Sequence, residues 1–149
     1  MSRTVPVDYG DDLYWVYDVS LSVLFAEMAA EPSEWEPELR RNAVVGANSA
    51  VPLDEWTDGR ETAFIALIHA ACARLATKEV ITAAEAAEWR VLDDATVIWR
   101  GGNAVSTKRI VTLGEALIRI IEGEYPPAPA GHLWYLGNDD PAATIRLKS

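Results

Sequence analysis

Apolar residues recur along the chain at two periods, and the first run reads as helical. Leu13, Val16, Tyr17, Leu21, Leu24, Phe25 and Met28 follow three- and four-residue spacing, which predicts a helix capped by Asp11 or Asp12 and stopped by Pro32. In "SEWE", Ser33 and Glu36 form a capping box, and Pro37 falls in the first turn, where its missing N–H is tolerated. A second helix is therefore expected to about Gly46. "ANSAVPLDEWTDG" has turn formers without a period and reads as a loop carrying Trp56. The strongest stripe follows: Phe64, Leu67, Ile68, Ala71, Cys72 and Leu75, opened by Asp58 with Glu61, are expected to form the central helix. Thr82 with Glu85 caps a further helix, "AAEAAEW", whose small residues suit close packing and whose anchor is Trp89.

The period changes after Asp94. "ATVIWR" is rich in β-branched residues and runs into "GGN", which predicts a short strand in a hairpin with "AVSTKRIV". Helical spacing resumes at Thr112, with Glu115 as its capping partner and Leu113, Leu117, Ile120 and Ile121 as a stripe ending at Gly123. "YPPAPAG" is a stiff, extended crossing, and "HLWYLGNDDPAATIRL" predicts two short strands around an Asn-Asp-Asp-Pro turn. The sum is an α+β fold, mostly helical, with about five helices and a few short antiparallel strands in the C-terminal half. No internal repeat or boundary divides the chain, so residues 1–149 are expected to form a single globular domain.

Composition limits the alternatives. Half of the 149 residues are hydrophobic, enough for one core. There is no apolar run of the ~18 residues a membrane helix needs, and "MSRTVPVDYGDD" lacks the apolar stretch of a secretory signal, so a soluble, cytoplasmic protein is expected. The single cysteine, Cys72, lies in an apolar helical pattern and reads as a buried free thiol. The net charge of −10 is unevenly placed: residues 1–61 hold thirteen acids against four bases, the remainder ten against nine. Such a field disfavours nucleic acid and anionic membrane surfaces and speeds encounter with a basic partner.

Residues that carry chemistry do not assemble into a motif. His69 and His132 have no second metal ligand at a recognised spacing, so neither a metal nor a cofactor is expected. "RGGNAVSTK" lacks phosphate-loop spacing, and there is no GxSxG elbow and no CxxC pair. The acid pairs Asp11-Asp12, Asp93-Asp94 and Asp139-Asp140 stand where aspartate serves caps and turns. The remaining excess is aromatic: six tryptophans and five tyrosines accompany only two phenylalanines. Such polar-edged rings favour core margins and protein interfaces.

On the expected first helix, Tyr14 and Asp18, extended by Asp11, share a face beside the acidic second helix. These features lead to the expectation of a small acidic protein that binds and neutralises or regulates a basic partner, in the general manner of an immunity protein or antitoxin acting on a toxin or nuclease. Asp11, Asp12, Asp18, Glu34, Glu36, Glu38, Asp54, Glu55 and Asp58 would steer association, and Tyr14, Trp35 and Trp56 would anchor it. Two other readings are a small-ligand pocket or minor enzyme walled by aromatics, and a homo-oligomer subunit with tryptophans between copies.

Overall fold

The run from Asp8 to Tyr17 departs from its helical reading. In a computed structural model describing residues 4–45, 50–100 and 102–147, β1 (Thr4–Tyr9) and β2 (Asp12–Tyr17) form an antiparallel hairpin. Gly10 and Asp11 make the two-residue connection, with φ +63° at Gly10. Glycine at the first central position supplies that conformation at little cost and matches the twist of the strands. Val5, Val7, Tyr14 and Val16 turn inward in strict alternation. Six residues sample too few turns to separate a period of 3.6 from one of 2, and the β-branched and aromatic content of "YWVY" favours the strand.

Helix α1 (Asp18–Met28) follows without a break and is buried almost all round, from Val19 through Phe25 and again at Met28. It, rather than the helix opened by Asp58, is the centre of the molecule. Its two buried serines are satisfied: the Ser20 hydroxyl donates to the Gly137 carbonyl and the Ser22 hydroxyl to that of Ala43. Ser22 also accepts from the Ile98 backbone N–H at 2.9 Å. That contact holds segment 95–100 against α1, where the expected strand is replaced by chain outside any strand.

Helix α2 (Glu36–Val45) packs on α1, and its expected end near Gly46 lies outside the described residues. The segment read as a loop contains β3 (Val51–Pro52), parallel to β1, and α3 (Leu53–Thr57). Helix α4 (Glu61–Leu75) buries the expected stripe at Phe64, Leu67, Ile68, Ala71 and Leu75. Strand β4 (Val80–Thr82) leads into α5 (Ala83–Ala87), whose Thr82 hydroxyl accepts from the Glu85 N–H at 3.1 Å as the sequence predicts. Strand β5 (Ala104–Ser106) pairs with β4, 22 or more residues upstream, and not with its expected hairpin partner.

Helix α6 (Thr107–Ile121) begins five residues before the predicted Thr112. Ser106 caps it through the Lys108 N–H, and Ile110 is buried in phase with Leu113 and Leu117. The expected terminal strands are β6 (His132–Leu136) and β7 (Thr144–Arg146), an antiparallel pair.

The described residues thus hold six helices and seven strands, a mixed α/β arrangement in which strands are not confined to the C-terminal half. The larger sheet has the order β3-β1-β2-β6-β7, with β2 and β6 parallel. Helices α1, α4 and α6 pack together, and the inward residues of the sheet join them in one hydrophobic cluster.

Candidate partner-binding surface

The expected site residues separate into three groups. Asp18 is buried at 1% exposure, where its Oδ2 accepts from the Arg100 guanidinium at 2.8 Å. Tyr14 points inward, so the shared exposed face expected of Tyr14 and Asp18 does not exist. Trp35 is buried as well: its indole N–H donates to the Trp56 carbonyl at 2.8 Å, and its ring meets Phe64 edge-on at 5.0 Å. Trp56 packs on Phe25 at 5.9 Å. These aromatics hold α3 to the helical layer, with the Arg60 guanidinium over the Trp35 ring at 5.6 Å and paired to Glu34.

The second group is acidic and on the α2 side. Glu36 pairs with Arg40 one turn along α2 at 3.0 Å, and Glu38 is part-exposed on the same helix. Asp58 is exposed beyond the end of α3, near the Glu34–Arg60 pair in sequence. The third group gathers at one end of the sheet. The Gly10 N–H donates to Asp54 Oδ2 at 3.1 Å, which seats the β1–β2 turn, with exposed Asp11 and Asp12, on the start of α3, with Asp54 and Glu55.

Sequence reasoning missed the face of the sheet opposite the helices. Strand alternation sends Pro6 and Asp8 of β1, Leu13 and Trp15 of β2, Leu133 and Tyr135 of β6, and Ile145 of β7 to that side, all part-exposed. Their register makes two rows. Pro6 faces Trp15 and Trp15 faces Tyr135; Asp8 faces Leu13, and Leu133 faces Ile145. Stepping two residues back from Trp15 and Tyr135 along parallel β2 and β6 brings Leu13 beside Leu133, so the second row is continuous. Leu13, Trp15, Leu133, Tyr135 and Ile145 do not belong to the packed core, whereas inward Tyr9 and Trp134 border it. The signal was present: once "LYWVY" is read with period 2, Leu13 and Trp15 fall on one side and Tyr14 and Val16 on the other.

Apolar rows of this kind, margined by Asp8 and the turn acids, are the chemistry of a protein interface, with a hydrophobic centre and a polar rim. Among the described residues, no group of three or more His, Cys, Asp or Glu side chains could hold a metal ion, and no helix is long and apolar enough to cross a membrane. No protein-family model matches the chain, and no curated protein or solved structure matches it either.

Proposed function

We propose that this protein binds and neutralises or regulates a basic partner protein in the cytoplasm, as immunity proteins and antitoxins do, and that the helix-free sheet face is the contact. The observation that carries this reading is the pair of apolar rows crossing β1, β2, β6 and β7 on the side away from the core. Each such side chain is already part-buried, so a contact there gains a share of the roughly 1.5–3 kcal/mol of full burial, and the large rings are the usual anchors of interfaces. Charge selects the partner. Asp8 lies on the face, and Asp11, Asp12, Asp54 and Glu55 stand at its end, so a basic rim is favoured. A second copy would bring another chain of net charge −10 and is disfavoured on the same ground.

The test is capture from native lysate with three baits: the wild-type chain, Leu133→Asp with Ile145→Asp, and Glu122→Gln, at the end of α6 and off the sheet. The expected result is a basic protein retained by the wild type and by Glu122→Gln, weakened by salt, and lost from the double variant. Retention that ignores the double substitution, or a wild-type chain that sediments as a dimer through this face, would overturn the reading.

A further inference from the structure

A second feature lies at the edge of the same sheet, on its inward side. Between the β1–β2 turn and the Tyr125–Ala128 crossing runs a groove of about 520 Å³. Tyr14, Tyr125 and Trp134 form its wall as a ladder of edge-on rings, 6.0 Å and 5.7 Å between successive centroids. The crossing is fixed there because the Trp134 indole N–H donates to the Pro126 carbonyl at 2.9 Å. Asp11 and Asp12 stand at the turn end, and Leu13 and Leu133, which belong to the apolar rows, also border the groove.

The polar groups in this groove are one-sided. Neither Lys nor Arg lines it. Two carboxylates accept only. The His132 ring places Nδ1 at 3.0 Å from the Ala130 carbonyl, so in the neutral ring Nδ1 donates and Nε2 is left as an acceptor. Tyr14 is 8% exposed, yet its hydroxyl finds no hydrogen-bond partner among the described residues. Tyr14 lines the groove, so a hydroxyl with no partner in the fold can hydrogen-bond to a ligand there. Aromatic walls with acceptors at one end suit a cation, and a planar guanidinium suits them better than an ammonium because it stacks as well as donates. The fold already uses this packing on the same ring, since the Arg119 guanidinium sits 5.3 Å from the Tyr125 centroid.

We propose that the Asp11–Asp12–Tyr14–Tyr125–Trp134 groove receives an arginine side chain. The protein-binding reading supplies its source, a segment of the basic partner that passes from the apolar rows over Leu13 and Leu133 into the groove. The guanidinium would lie against the rings and donate to the turn carboxylates and the Tyr14 hydroxyl.

The experiment titrates the full chain with acetyl-Gly-Arg-Gly-amide and with the same peptide carrying citrulline, an isostere without the charge, while the six indole N–H resonances are followed by NMR. The expected result is a saturable shift of the Trp134 indole with the arginine peptide and none with citrulline. Asp11→Asn with Asp12→Asn should weaken binding about tenfold. Equal shifts with both peptides, no Trp134 shift up to solubility, or a shift indifferent to the Asn substitutions would overturn the groove assignment. Partner capture that persists in the Asn double variant without a Trp134 shift would sink the groove alone and leave the sheet face standing.

Discussion

Asp18 has the same one-letter signature as the solvated acids around it, but its side chain is fully buried against Arg100, 82 residues away. Its Oδ1 has no hydrogen-bond partner among the described residues, so the carboxylate depends on one guanidinium for compensation. Losing one member of such a pair strands a charge out of water. Arg100→Ala should therefore cost about 3 kcal/mol in urea unfolding, near the low end for buried pairs because the guanidinium itself is 28% exposed. A cost below about 0.5 kcal/mol would assign the pair no more than a surface role. Cys72 lies half-buried between α4 and α6. Burial, with a smaller push from the Glu115 charge, raises its thiol to about 11. At pH 8 the native chain should then react with iodoacetamide about 100-fold more slowly than the urea-unfolded chain, because the thiolate is the nucleophile and each unit of pKa removes about tenfold of it. The sign for stability follows: between pH 9 and 11 the unfolded thiol ionises first, so stability falls as pH rises through that window. Equal alkylation rates would refute the burial. The helical stripe turned the Cys72 thiol toward the core, where it is half-buried and not fully buried as expected, but the sequence did not show the fate of Asp18 or Trp35, because burial of a polar group is decided by a partner distant in the chain.

At the scale of elements, local signals were legible and pairing was not. The stripe of α4, the Thr82 cap of α5 and the β6–β7 pair each rest on residues within one element or one turn, and all three stand where the sequence places them. The β1–β3 and β4–β5 pairings depend on contacts more than twenty residues apart, which no local pattern carries. Helix α1 misled for a different reason: a helix buried almost all round has little wet face to betray its orientation, and its preceding strand extended the apparent period. The α4–α6 contact gives a sharp test. A Cβ at Gly114 would lie 2.5 Å from Cys72 Sγ and 3.1 Å from Ile68 Cγ2, so the two helices approach here only because Gly114 has no side chain. Gly114→Ala should destabilise by about 1–3 kcal/mol despite alanine's better helix propensity. Adding Cys72→Ala removes the nearer atom and should recover much of the loss. A melting temperature unchanged by Gly114→Ala alone would show that the helices are farther apart than described.

At the scale of the molecule, the turn acids stand where the part-exposed outer sheet face ends, and that juxtaposition supports the proposed link of charge to function. The sequence showed the charge asymmetry and the aromatic excess. It did not show that Trp35 and Trp56 are spent inside the fold while Trp15 stands on the outer side, because strand alternation becomes visible only once the hairpin is known. If the turn acids steer a basic partner, Asp11→Asn, Asp12→Asn and Asp54→Asn together should slow association about tenfold at low salt, and dissociation should quicken as well because Asp11 and Asp12 hold the arginine. The rate should also depend less steeply on ionic strength, since screening acts over about 8 Å at physiological salt. An association rate equal to that of the wild type at every salt concentration would remove the steering role. The contact itself is tested most directly by hydroxyl-radical footprinting of this protein with and without the captured basic protein. The expected result is protection of Trp15, Leu133, Tyr135 and Ile145, with Trp89 and Trp99 labelled as before. Protection confined to the helical side, with Trp15 and Tyr135 labelled equally in both states, would contradict it.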